Sequence, residues 1–302
     1  PESALLFCDP SRNEFNMLIQ FEHVNLGLER GRFAPRPLRP GELAEVLTRW
    51  QKALEERGWN ALYLENHDQP RAVRRFGDPD NFWYESATAL ATAYFLQRGT
   101  PFIYQGQEIG MLGGAFSSPT DLRDVESLNA LREDAGEEIP PGLAHMSRDN
   151  GRTPMQWDDS ANAGFTDAIP WIGVPHSASQ INVAAQLADD SSVLAYYRAL
   201  IDARHRIGAA TDGGFTRLDM GDPALFFYLR EHEGSSILVA TNLSSRALTP
   251  SPRGGHEAAC ALPWRLYLAN TRGSGVASEN APTPVDPASP MGPWEARVYL
   301  IH

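Results

Sequence analysis

Basic residues are in short supply. The chain carries 26 Lys and Arg against 38 Asp and Glu, a formal net charge of −12. A chain so acidic builds no broad basic face to release counterions from phosphates, which excludes nucleic acid and anionic membranes as partners. Cysteine is scarcer still. Cys8 and Cys260 stand far apart, which is no disulfide framework and fits a reducing cytoplasm. No apolar run approaches the roughly 20 residues that span a bilayer. No basic segment followed by an apolar one opens the chain. It opens instead on Pro1 and runs at once into Leu5-Leu6-Phe7, a start that suits a processed protein or a fragment.

What is present is ordinary for a globular protein: 302 residues, 42% hydrophobic and 21% charged. That length allows one large domain or two smaller ones. Asn16 to Phe21 is short and apolar and predicts a buried strand. Leu43, Val46, Leu47, Trp50 and Leu54 recur at helical spacing, with Gly58 as the stop. Trp59 to Leu64 reads as a second strand, Trp83 to Gln97 as a second helix, and Thr100 to Tyr104 as a third strand. Alternation of strands and helices argues for parallel strands with crossover helices, an α/β arrangement. Polar clusters follow each strand, where such folds place their chemistry.

The region from about Gly110 to Asn182 is too long for a plain loop and is read as functional. A last helix is predicted over Val193 to His205. After Gly213-Gly214 the character changes, and Leu225 to Leu229, Ser236 to Thr241, Arg265 to Leu268 and Ala296 to Ile301 are β-like runs between turn residues. Thr271 to Pro290, small, polar and Pro-rich, predicts a mobile loop. Two domains are therefore expected, 1–210 and an all-β 211–302.

Three segments carry the chemistry: Asn66-His67-Asp68-Gln69-Pro70-Arg71; Gly99 to Met111 (GTPFIYQGQEIGM); and Ser147 to Asp158 (SRDNGRTPMQWD). Arg123 to Asn129 lies between the second and third, and Ile181 to Gln186 follows them. Together, in this order, they resemble the C-terminal half of the α-glucosidase and oligo-1,6-glucosidase branch of glycoside hydrolase family 13. The resemblance runs from about Glu14 to the C-terminus. It implies the C-terminal part of a (β/α)8 TIM barrel, the three strands being its sixth to eighth, followed by a small all-β domain.

Retaining glycoside hydrolysis needs a carboxylate nucleophile and a carboxylic acid about 5 Å apart. This family adds a third carboxylate that binds sugar hydroxyls and stabilises the distorted ring. The resemblance implies that this carboxylate is Asp68, with His67 binding the same sugar. Such contacts accelerate a reaction only where they strengthen in the transition state. Arg152 matches the arginine that clamps the terminal glucose. Glu126 matches an acidic position lining the next sugar site. The substrates implied are short α-glucosides; no cofactor and no metal are expected.

Each residue also has a plainer reading. Asp68 would suit a turn before Pro70. Glu22, His23 and Glu108 follow strands and are as well explained by structure as by substrate contact. Arg71, Arg74 and Arg75 are expected to pair with Asp78, Asp80 or other carboxylates. Trp157 and Trp171 are expected to pack inside the long loop.

The sequence departs from the family in one respect. The nucleophilic Asp and the acid Glu belong to strands preceding everything here, and no Gly-Phe-Arg-x-Asp segment occurs. Three strands cannot close an eight-stranded barrel. The expectation is a chain that is inactive by itself and lacks the N-terminal part of its barrel. An open flank then predicts self-association or poor solubility. The alternatives are a sucrose- or trehalose-type glucosyl isomerase of the same family, and a non-catalytic relative serving as a binding or accessory protein.

Overall fold

The computed structural model describes residues 1–114, 116–134, 138–271 and 285–301. The expected loop from Thr271 to Pro290 lies largely outside them. Helix α1 (Glu42–Leu54) follows the predicted spacing, burying Leu43, Val46, Leu47 and Leu54. Its first-turn Glu42 receives Arg36 and Arg39, and the Arg36 guanidinium holds that carboxyl down at about 2. Strand β1 (Ala61–Leu62) pairs in parallel with β2 (Thr100–Pro101), and between them run α2 (Ala72–Phe76) and α3 (Trp83–Phe95).

The segment from Asn16 to Phe21 departs from expectation. Only Leu18 joins the neighbouring strand, by one parallel bridge to Asn60, and Ile19 and Phe21 are 54% and 55% exposed. Among the described residues this segment has a strand neighbour on one side alone, which leaves its other edge open. Phe102 and Ile103, just after β2, are exposed as well.

The long polar region is structured rather than a plain loop. It contains α4 (Val125–Asp134) and α5 (Pro141–Met146), and α6 (Val183–Leu187) follows directly on it. Trp157 and Trp171 do not pack inside it; both are exposed. Helix α7 (Val193–Arg206) starts where Ser192 accepts the amide of Ala195, and α8 (Gly208–Asp212) follows.

A five-stranded antiparallel sheet ends the chain. Its strands are β3 (Thr216–Leu218), β4 (Leu225–His232), β5 (Ser235–Asn242), β6 (Arg265–Ala269) and β7 (Ala296–Ile301), in the order β3-β4-β5-β7-β6. Alternate residues serve opposite faces. Phe226, Tyr228, Ile237, Val239 and Val298 pack toward the helices, while Phe227, Leu238, Ala240 and Tyr299 pack against Trp264 and Met291. Both faces being covered, these strands read as continuous apolar runs. Helix α3 lies between α7 and the sheet and is buried all round, as its small residues allow. Its Thr88 and Thr92 hydroxyls donate back to Tyr84 and Thr88 carbonyls. Among the described residues no helix is long and apolar enough to cross a membrane.

The end of α3 is closed by two buried arginines. Arg204 of α7 donates to the carbonyls of Phe95 and Gln97, both at 2.8 Å, and to that of Gly99. Arg230 of β4 donates to Leu96 at 3.0 Å and to Gly213 and Gly214. These bonds supply the carbonyls a helix end leaves without partners. Arg204→Met keeps the bulk and strips those donors, so it is expected to cost about 2–4 kcal/mol. Urea unfolding reads this as a lower midpoint at unchanged slope; an unmoved midpoint would contradict it.

His23 sits fully buried against Tyr63 and Phe76, its Nδ1 2.8 Å from Gln20 Nε2. Burial pushes its pKa down to about 3, from an ordinary 6.5. The unfolded chain therefore binds a proton below pH 6.5 that the folded chain refuses. Stability is full above 6.5 and falls toward pH 3 by roughly 1.4 kcal/mol per unit. Comparing urea midpoints at pH 7 and 5, His23→Phe is expected to flatten this dependence. Equal slopes in both proteins would remove His23 as its source.

Candidate active site

The loop after β1 turns back sharply. The Asn66 side chain accepts the amide of Asp68 at 2.8 Å, and the backbone of Gln69 bonds to Asn66. This leaves the Asp68 carboxylate at the surface, 42% exposed, with His67 beside it at 71%. His67 Nε2 is 3.4 Å from Asp68 Oδ2.

The partner of Asp68 comes from the third motif. Arg152 Nη2 donates to Asp68 Oδ1 at 2.8 Å, and its Nε donates to the His67 carbonyl at 3.0 Å. One planar fork thus binds the side chain and the backbone of the same loop. Close backbone approach makes this reach possible. A Cβ at Gly151 would meet the Gln69 and Asn66 carbonyls at 2.8 and 2.9 Å, so only glycine fits there.

Arg152 is itself placed by a run of buried polar contacts. Asp149 is fully buried, and its Oδ2 accepts the amides of Arg123 and Asp124 at 2.7 and 2.9 Å. Asp124 Oδ2 accepts both the amide and the hydroxyl of Ser127, capping α4. Its other oxygen lies 2.9 Å from Arg148 Nε and 3.8 Å from Arg152 Nη1. Asn150 Nδ2 donates to the Ala144 and Ser147 carbonyls at the end of α5.

Glu126, at the start of α4, does not touch Asp68 directly. Arg148 joins them, with Nη2 at 3.4 Å from Glu126 and Nη1 at 3.8 Å from Asp68. Arg32 adds a second link: it donates to the Asp68 carbonyl at 2.6 Å and lies 3.8 Å from Glu126 Oε2. Burial lowers the pKa of Arg32, and the neighbouring Arg148 cation lowers it further. The four residues singled out in the sequence, His67, Asp68, Glu126 and Arg152, therefore share one surface, where three carboxylates face three guanidinium groups.

Arg32 and Arg148 complete that surface and the buried Asp124 and Asp149 support it from behind; sequence reasoning did not single these four out. Asp124, Arg148 and Asp149 stand inside the quoted motifs, which was the available signal; Arg32 lies in a stretch without one. Other candidates fall outside it. Glu22 pairs with Arg49 and accepts from Trp50, and His23 is buried. Glu108 lies on a 3-10 turn (Gln107–Ile109), and burial raises its carboxyl pKa. In the arginine cluster, Arg71 pairs with a carboxylate as expected, though not Asp78 or Asp80, whereas Arg74 and Arg75 turn to backbone carbonyls. Arg71 pairs with Glu65, Arg74 donates to the Leu112 carbonyl, and Arg75 donates to the Val24 and Leu26 carbonyls and Gln69.

The arrangement offers sugar hydroxyls a half-exposed carboxylate of fixed orientation, imidazole and guanidinium donors beside it, and a second carboxylate one arginine away.

Comparison with known proteins identifies the family. The family described as alpha amylase, catalytic domain, matches residues 1–213. The oligo-1,6-glucosidase of Parageobacillus thermoglucosidasius is 42% identical over all of this chain and 53% of its own length. A mutant trehalose-6-phosphate hydrolase of Bacillus licheniformis superposes with a TM-score of 0.88 at 30% identity, covering 99% of this chain and 54% of its own. The trehalulose synthase of Pseudomonas mesoacidophila gives 0.84 at 32% identity, over 100% of this chain and 53% of its own. The chain thus spans about half the length of the relatives it matches. With about 70% of its residues inside the matched catalytic domain, it belongs to the α-amylase family of glycoside hydrolases, family 13.

Proposed function

We propose that this chain is the C-terminal part of a retaining α-glucosidase that releases glucose from short α-glucosides. One observation carries the reading: Asp68, fixed by the Arg152 fork and flanked by His67. A carboxylate so held accepts hydrogen bonds from two adjacent sugar hydroxyls. These shorten as the ring flattens toward the oxocarbenium ion, which makes the contact selective for the transition state. Arg152 also meets the non-reducing end of the glucose, and Glu126, tied to Asp68 through Arg148, lines the site for the next unit.

The nucleophile and the acid are supplied by an N-terminal barrel part. The half-length match to relatives supports this, as do the exposed apolar Ile19 and Phe21 in the segment beside β1 and Phe102 and Ile103 just after β2. Residues 1–210 then form the end of the barrel and 211–302 an all-β domain. By itself the open side favours self-association. A glucosyl isomerase is the second reading, supported by the likeness to the trehalulose synthase. It differs only in what attacks the glucosyl intermediate.

Hydrolysis of p-nitrophenyl α-glucoside tests the reading. The chain alone is expected to give no turnover. Joined to its N-terminal barrel part it is expected to release α-glucose, and Asp68→Asn to lower kcat by about 10²–10³. Wild-type kcat in that variant would refute the assignment of Asp68. Incubation with sucrose separates the readings, since glucose and fructose indicate hydrolysis and an isomeric disaccharide the alternative.

A further inference from the structure

Glu65 takes no part in the chemistry above, yet it is one of the few carboxylates removed from water. Its side chain is 1% exposed, and that of its partner Arg71 not at all. Both of its oxygens are used. Oε1 accepts the amide of Ala72 at 2.9 Å, and Oε2 faces Nη1 of Arg71 at 3.2 Å. The segment that carries His67 and Asp68 is therefore pinned at both ends by a single side chain.

Contacts continue outward from Arg71. Its Nη1 donates to the Gln105 carbonyl at 2.6 Å, and its guanidinium carbon stands 5.2 Å from the centre of the Tyr104 ring. The Tyr104 hydroxyl donates to the Gly151 carbonyl at 2.7 Å. Gly151 is the residue before Arg152, and its backbone rests on the Asn66 and Gln69 carbonyls.

We infer that Glu65 is a positioning residue: through Arg71 and Tyr104 it fixes the separation between Asp68 and Arg152. Two segments meet at that pair: a loop after β1 without helix or strand, and, far downstream, the end of a short 3-10 helix (Arg148–Gly151) that Arg152 caps. The buried pair provides a rigid point common to both. An apolar pair of equal volume would fill the space at no loss of stability. It would not bind an amide on one side and a carbonyl on the other.

This inference rests on the proposed role of Asp68 and Arg152, and the test separates the two. In the complete barrel, kcat for p-nitrophenyl α-glucoside is measured for Glu65→Gln alone and combined with Arg152→Lys. Glu65→Gln alone is expected to lower kcat by about 10- to 100-fold, as a small misplacement of binding groups does. With Arg152→Lys already present, the fork is gone and little remains to position. The further loss is then expected to be under about threefold, a strongly non-additive cycle. Equal losses in both backgrounds would overturn the inference and leave Glu65 a purely structural residue. Wild-type kcat in Asp68→Asn would remove the functional reading, and the inference with it. Should Glu65→Gln fail to fold, Tyr104→Phe deletes only the hydroxyl bonded to Gly151. The same cycle with that variant decides the matter, non-additivity with Arg152→Lys supporting the inference and additivity overturning it.

Discussion

The orientation of Asp68 depends on a guanidinium that reaches it from 84 residues downstream. An exposed ion pair of this kind contributes little to stability by itself, about 0–1 kcal/mol. Its value is geometric. Arg152 binds a carboxylate oxygen and a backbone carbonyl of the same loop, so the carboxylate has one direction to point. Behind it stand buried groups that have no freedom: Asp149 on two amides, Asp124 on Ser127 and Arg148, and Gly151 on the carbonyls of the facing loop. Rigidity is built in the buried shell and delivered to the surface.

Arginine is the means by which this is done throughout the molecule. Lys52 is the single lysine among 26 basic residues. A guanidinium offers five donors in a plane and can bridge several acceptors at once, whereas an ammonium acts as one point charge. Arg204, Arg230 and Arg75 each gather carbonyls from separate segments, and the carbonyls of a helix end or an irregular loop are the groups in need of donors. Burial pushes the pKa of Arg75 and Arg230 down to about 10, which still leaves both charged at neutral pH. The cation stays available to polarise each bond.

What the sequence made legible follows from how each signal arises. The runs over Leu225–Leu229 and Ser236–Thr241 stood out because both faces of the sheet are covered, so apolar residues are continuous. Helices α1, α3 and α7 carried helical spacing or a stop at glycine, and their observed bounds lie within a few residues of the reading. Asn16–Phe21 has the composition of a strand and one neighbour, and composition does not report how many neighbours a segment has. The pairing expected of Arg74 and Arg75 failed for a related reason, while Arg71 did find a carboxylate in Glu65. Charged partners can be counted in a sequence, but backbone carbonyls, which took Arg74 and Arg75, cannot. Motif residues Asp68, His67, Arg152 and Glu126 were legible and do share one surface; Arg32, which completes it, has no pattern around it to mark it out.

The exposure of the site bears on how it would work. Asp68 is 42% exposed and His67 71%, so hydrogen bonds made there compete with water. Transition-state selectivity of the kind proposed needs a site from which water is largely excluded, since preorganised dipoles act strongly only in a low dielectric. On the proposed reading, the N-terminal barrel part therefore has two tasks. It brings the nucleophile and the acid, and it covers the open side of Asp68 so that the fixed carboxylate faces sugar rather than solvent. Preorganisation by Arg152 is complete before that closure, which means that the two parts can meet without either having to rearrange the pair at their junction.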